Sequence, residues 1–191
     1  EKTWWGEYWQ GKTGGGPWGS ISFDPALNHI YIGSANPGQV DTARVGKETG
    51  DQLYASSIIA LDADSGKYAW HYQVNPRDAW DYGANTQMSL AELMIDGKPR
   101  KVLMQAPKNG FLYVIDRENG KFISAGKIVK VTWAERIDPV TGRPVEAPNI
   151  RFEKGDVVIW PNPTGGHNWH AQAYSPQTGL IYLPAMHNGV R

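Results

Sequence analysis

Asp81 is the residue of this chain with the clearest capacity for proton chemistry. It stands in the run Arg77-Asp78-Ala79-Trp80-Asp81-Tyr82-Gly83-Ala84-Asn85, just after a strand-like segment and Pro76. A carboxylate between a Trp and a Tyr is poorly solvated on two sides, which raises its proton affinity and makes it a usable base. The same residues also suit a turn, with an Asp capping backbone amides beside two packing rings. His167 and His170 invite a metal reading. No third His or carboxylate follows at a convincing spacing, so packing is the role expected of both.

These groups need a frame to position them. The chain has 191 residues, enough for one domain with a core, and Lys+Arg and Asp+Glu each number 19. A net charge of zero advertises neither nucleic acid nor an acidic membrane as partner. No apolar run is long enough for a membrane-spanning helix. Cysteine is absent, which excludes disulfides, thiolate metal sites and Cys nucleophiles within this stretch. The chain opens at Glu1 and closes at Arg191 just after a strand-like run, so a piece of a longer chain is expected. With 9 Trp, 9 Tyr and 22 Gly, the composition suits many short strands joined by turns. A Trp-lined carbohydrate surface fits it too.

In order, residues 1–17 read as irregular, and Trp18 to Phe23 and His29 to Gly33 as a hairpin. Pro37 to Leu53 is a long polar excursion. Ser57 to Asp62 and Lys67 to Val74 flank the turn Ala63-Asp64-Ser65-Gly66. Gln87 to Ile95, Arg100 to Ala106, Phe111 to Asp116 and Lys121 to Gly126 make a four-stranded meander, with Asp96-Gly97 as a hairpin signal. Residues 127–155, rich in Pro and Gly, read as a loop. Asp156 to Trp160, Asn168 to Tyr174 and Leu180 to Ala185 read as strands.

The chain repeats. Phe23-Asp24-Pro25…Ile30-Tyr31-Ile32 recurs as Tyr174-Ser175-Pro176…Ile181-Tyr182-Leu183, 151 positions later, and the same offset carries Trp18 onto Trp169. Ile59-Ala60-Leu61-Asp62…Gly66 resembles Val114-Ile115-Asp116…Gly120, 54 positions on. Units of about 50 residues with four strands indicate an all-β β-propeller, here about three to four blades. The run Ala60-Leu61-Asp62-Ala63-Asp64-Ser65-Gly66-Lys67-Tyr68-Ala69-Trp70 matches A-x-D-x-x-T-G-x-x-x-W with Ser65 for Thr. It resembles the tryptophan-docking repeat of the eight-bladed pyrroloquinoline quinone (PQQ)-dependent alcohol dehydrogenases, in which a terminal-strand Trp packs on the next blade. Non-catalytic propellers of outer-membrane assembly factors carry similar repeats.

Further signatures follow in the family's order. Gly14-Gly15-Gly16-Pro17-Trp18-Gly19 is similar to the segment whose Trp floors the quinone, which implies that role for Trp18. Gly33-Ser34-Ala35-Asn36-Pro37 looks like the turn whose Asn is a calcium ligand, and an oxygen donor suits that hard cation. Trp80-Asp81-Tyr82 resembles the stretch holding the catalytic base, which also contacts the metal. Lys108, in Pro107-Lys108-Asn109-Gly110, matches the basic residue that hydrogen-bonds the quinone; by itself it is a turn lysine. Gly165-Gly166-His167-Asn168-Trp169 is similar to the segment in which an Asn nears the quinone, carrying over Asn168 and Trp169 as cofactor-facing residues.

The resemblance covers residues 1–191 as a partial propeller domain. It implies oxidation of an alcohol with PQQ and calcium, electrons passing to cytochrome c or a membrane ubiquinone, a periplasmic location, and a haem c domain in some members. Sugars such as glucose are the alternative substrates. Gly16 replaces a common Thr, and Gly83 stands where lanthanide-dependent relatives carry a second Asp, favouring calcium. The family's metal-binding Glu, vicinal disulfide and cofactor-binding Arg are expected upstream of Glu1, and the remaining blades elsewhere in the chain. A cofactor-free propeller scaffold would not require Asn36, Asp81 and Lys108 to converge. A glycan-binding module would expose Trp18 and Trp169.

Overall fold

The computed structural model describes residues 3–4, 14–19, 21–38 and 50–191. Its named elements are twelve β-strands. Strands β1 (Ile21–Asp24), β2 (His29–Gly33), β3 (Ser57–Asp62) and β4 (Tyr68–Gln73) pair in that order into one four-stranded sheet. Strands β5 (Met88–Ile95), β6 (Lys98–Gln105), β7 (Phe111–Asp116) and β8 (Phe122–Lys127) form a second sheet of the same design. All pairings are antiparallel between sequential strands. Two hairpins complete the set: β9 (Ala134–Ile137) with β10 (Pro144–Glu146), and β11 (Ala173–Ser175) with β12 (Leu180–Tyr182). The fold is all-β, two complete propeller-type sheets plus partial ones.

One turn recurs at the outer end of these units. At Asp62–Gly66 the Gly66 amide donates to the Asp62 carbonyl (2.9 Å), and Ser65 donates twice to the Asp62 carboxylate, from its amide (2.8 Å) and its hydroxyl (2.5 Å). The same frame returns at Asp116–Gly120 and at Asp138–Gly142, where Thr141 replaces Ser65. Each turn closes on a glycine with φ between 66° and 74°, a left-handed conformation that a Cβ disfavours.

The glycine also serves as a docking surface. The Trp70 indole lies against Gly120, where an added Cβ would come within 2.6 Å of the ring. Its Nε1–H donates to the Arg117 carbonyl at 3.2 Å. That carbonyl also accepts from the Tyr31 hydroxyl (3.0 Å), and the Arg117 guanidinium pairs with buried Asp24 at 2.7 Å. The first sheet is thereby fastened to the second as the docking motif implied. One unit further on, Phe122 packs on Gly142 and the Tyr72 hydroxyl donates to its carbonyl. The main core joins Ile58 of the first sheet and Leu103, Phe111 and Tyr113 of the second with Trp133, which follows β8.

Several boundaries differ from the sequence reading. The stretch 127–155, expected as loop, contains the β9–β10 hairpin, folded about the Asp138–Gly142 turn. The strand expected over 156–160 reduces to one bridge between Ile159 and Val190. The strand expected from Asn168 begins only at Ala173, because residues 165–167 are held to the β6–β7 loop instead: Gly166 N–H donates to the Lys108 carbonyl and His167 Nδ1 meets the Ala106 carbonyl. The first strand, expected from Trp18, is described over Ile21–Asp24. Most of the excursion at 37–53 and of the first 13 residues lies outside the described residues.

Candidate active site

The loop joining β4 to β5 is organised by Asp78, which is 1% exposed. Its Oδ1 accepts from Asn75 Nδ2 (2.8 Å) and the Trp80 amide (3.0 Å). Its Oδ2 accepts from Ser56 Oγ (2.9 Å) and the Tyr82 amide (2.7 Å). Burial pushes this carboxyl up to about 6, against the lowering effect of those hydrogen bonds. The sequence reading expected the aromatic-flanked Asp81 to be the desolvated carboxylate, or else a capping one. Both descriptions belong to Asp78, three residues earlier.

Trp80 and Tyr82 point into the core, with ring centres 5.3 and 5.7 Å from that of Trp133. The Arg151 guanidinium covers the Trp80 ring at 4.8 Å and is itself held by Glu146 through bonds of 2.7 and 2.6 Å. With its neighbours turned inward, Asp81 turns outward. Its φ is 64°, and its side chain is 43% exposed, not walled off as the sequence suggested.

Lys108 reaches Asp81 from the β6–β7 loop, with Nζ 2.6 Å from Oδ2. The lysine side chain is 8% exposed, so its stem is packed while its ammonium meets the carboxylate. The neighbouring Asn109 fixes this loop. It bonds Tyr113 OH (2.8 Å), receives the Phe111 amide (3.2 Å) and offers its carbonyl to Trp133 Nε1 (2.8 Å). The sequence resemblance gave Lys108 a quinone oxygen as partner; its partner in this structure is Asp81.

Asn36 and Asp81 line one cavity of about 570 Å³, whose walls include Trp80, Phe152, Ile159 and Pro161. The turn bearing Asn36 is locked against the glycine run and the loop after Asp81. Gly15 N–H donates to the Asn36 carbonyl (2.7 Å), and Ala35 N–H to the Gly16 carbonyl (3.2 Å). Asn85 Nδ2 bridges the Gly16 and Gly33 carbonyls at 3.2 and 3.3 Å. A Cβ on Gly83 would lie 2.5 Å from Asn85 Oδ1, 3.1 Å from Ala35 Cα and 3.2 Å from the Asn36 nitrogen. Trp18 ends the glycine run with its side chain 52% exposed.

The later segment stands apart. Asn168 donates to the Thr164 carbonyl (2.7 Å) and accepts from the Trp169 amide (2.8 Å). Trp169 is 71% exposed and stacks on His170 at 4.3 Å. Among the described residues, no hydrogen bond or ring contact joins Asn168 or Trp169 to Asp81, Lys108 or Asn36. His167 is fully buried, with Nδ1 2.7 Å from the Ala106 carbonyl and Nε2 3.0 Å from the His170 carbonyl, and burial pushes its pKa down. It packs the structure, as expected. Sequence reading missed Asp78, Ser56 and Arg151; the one available signal was that two aspartates, not one, stand in the loop.

Residues 1–135 match the family model described as the β-propeller domain of PQQ-dependent glucose/ethanol/alcohol dehydrogenases. The chain belongs to the PQQ-dependent alcohol dehydrogenase family. It is 56% identical over 184 residues to quinohemoprotein alcohol dehydrogenase ADH IIB of Pseudomonas putida, a match covering 96% of this chain and 27% of that protein. The solved structure of ADHIIG from Pseudomonas putida HK5 superposes with a TM-score of 0.91 at 48% identity, over 96% of this chain and 28% of that one. A europium-containing methanol dehydrogenase superposes with a TM-score of 0.87 at 41% identity, over 96% and 32% respectively. The chain therefore spans about a quarter of the length of the curated relatives it matches. Membership of the family accounts for the two propeller-type sheets and for the docking of Trp70 on Gly120.

Proposed function

We propose that this chain supplies the general base, its positive partner and one further metal-facing oxygen of a PQQ- and calcium-dependent alcohol dehydrogenase. The observation that carries the reading is Asp81, which lines one cavity with Asn36 and pairs with Lys108 at 2.6 Å. A cofactor-free scaffold has no need of that convergence.

The residues fit the cofactors in kind. Asn36 and Asp81 offer the oxygen donors a hard cation takes, and the remaining donors of a six- to eight-fold shell come from outside this pair. The half-open Trp18 indole offers a flat apolar face to a planar ring system. When bound, the quinone supplies a two-electron acceptor and the cation a Lewis acid. Asp81, open to the cavity, takes the hydroxyl proton of the alcohol. Lys108 orients that carboxylate and provides fixed positive charge where negative charge develops. Phe152, Ile159 and Pro161 give the cavity an apolar wall. An apolar wall favours an alcohol over a sugar, whose extra hydroxyls would lose their hydrogen bonds on entry.

Calcium is favoured over a lanthanide because Gly83 adds no second carboxylate and has no room for a side chain beside Asn36. Cytochrome c or a membrane quinone receives the electrons, as the names of two relatives specify for those proteins. The periplasm is the compartment, with a haem c domain elsewhere in the protein as electron relay. Exposed Trp18 and Trp169 also suit a glycan-binding module, which would leave the Asp81–Lys108 pair unused. Expression of the full reading frame with calcium and PQQ tests the proposal. Bound-quinone absorbance with dye-linked alcohol oxidation supports it; saccharide binding without quinone uptake overturns it.

A further inference from the structure

We propose that Asp78 is the positioning residue of the proton-transfer site: by accepting the backbone amides on both sides of Asp81, it holds Asp81 in the conformation that presents its carboxylate to Lys108 and the cavity. The inference rests on the reading of Asp81 as general base.

Asp78 Oδ1 takes the Trp80 amide at 3.0 Å and Oδ2 takes the Tyr82 amide at 2.7 Å. One carboxylate thus grips the residue before Asp81 and the residue after it. Between them Asp81 adopts φ 64°, a left-handed conformation that non-glycine residues enter only when their surroundings enforce it. Its consequence is visible in the side chains: Trp80 and Tyr82 are 3% and 0% exposed, while Asp81 faces outward to Lys108. Asn75 Nδ2 and Ser56 Oγ, at 2.8 and 2.9 Å, occupy the remaining acceptor positions and fix the Asp78 rotamer. All four donors require an acceptor on both oxygens. An Asn side chain has one acceptor oxygen and one donor nitrogen, so in either orientation one of the two amides flanking Asp81 faces an N–H group. The isosteric Asp78→Asn change therefore keeps volume and releases one side of Asp81.

The test uses the full-length protein loaded with PQQ and calcium. For Asp78→Asn we expect kcat to fall by about tenfold or more, the scale of a misplaced catalytic group. KM for a short primary alcohol and bound-quinone absorbance should stay near wild type, while the thermal midpoint falls with the lost buried hydrogen bonds. A crystal structure of the variant should show Asp81 outside the left-handed region and its ion pair with Lys108 opened. Unchanged kcat, or an unchanged Asp81 conformation, overturns the proposal. If Asp78→Asn fails to fold or sheds its quinone, the double variant Ser56→Ala/Asn75→Ala decides: it removes both rotamer-fixing donors and frees the Asp78 carboxylate to turn away from the two flanking amides. A several-fold drop in kcat at constant KM supports the positioning role, and unchanged kcat overturns it. Asp81→Asn run in parallel separates the two readings. Full turnover there removes the base and this role with it. An inactive Asp81→Asn beside a fully active Asp78→Asn removes only the role of Asp78.

Discussion

Adding a single methyl group at Gly83 is expected to disturb the site more than its size suggests. In Gly83→Ala the new Cβ lies 3.1 Å from Ala35 Cα and 3.2 Å from the Asn36 nitrogen, closer than backbone ordinarily tolerates, and 2.5 Å from Asn85 Oδ1. Asn85 can yield only by loosening its bridge to the Gly16 and Gly33 carbonyls. Overpacking of this kind costs about 1–3 kcal/mol. Each weakened hydrogen bond adds about 0.5–1.5 kcal/mol. The total is roughly 2–6 kcal/mol, divided between global stability and the placement of Asn36. Two measurements on the full-length protein read it: denaturant unfolding without ligands, and calcium titration followed by bound-quinone absorbance. We expect lower stability and weaker calcium binding together. A Gly83→Ala protein within about 0.5 kcal/mol of wild type in both, the noise of a neutral surface change, would refute the claim that packing of this loop sets the Asn36 turn.

Three further outcomes follow from the same structure. Trp70→Phe should lose about 1 kcal/mol with its bond to the Arg117 carbonyl, and Trp70→Ala about 3–5 kcal/mol, both read by denaturant unfolding; equal effects would mean that docking on Gly120 adds nothing beyond the hydrogen bond. Because the Asp78 pKa is raised from 3.8 to about 6 in the fold, its contribution to stability is fully present below about 4 and is lost as pH rises through 6. The thermal midpoint of Asp78→Asn should therefore vary less than wild type across pH 4–6, and parallel curves would contradict the assignment. Trp18→Ala should weaken quinone retention while leaving the unfolding transition nearly unchanged, since the ring is half exposed; a large loss of stability would instead mark Trp18 as a packing residue.

The regular parts of the fold were legible where alternation and turn chemistry agreed. β2, β3 and β7 have the bounds read from sequence, because each abuts an Asp- or Gly-centred turn that stops the ladder abruptly. The β9–β10 hairpin escaped notice among prolines, although Asp138, Thr141 and Gly142 repeat the turn already recognised at Asp62, Ser65 and Gly66. At residues 161–172 side chains and loop carbonyls replace ladder partners, and strand-like composition says nothing about that exchange. In the loop after β4, composition marked the right stretch but not the right division of labour. Two aspartates three residues apart look alike in sequence. Only burial and four donors distinguish Asp78 from Asp81, whose exposure and lysine partner depend on contacts 27 positions away.

Turnover of Asp81→Asn in the full-length, quinone- and calcium-loaded protein is the most direct test of the base. The variant is expected to keep its bound-quinone absorbance and to lose alcohol oxidation at every pH tried. Near-normal turnover in that variant would contradict the assignment of Asp81 as base.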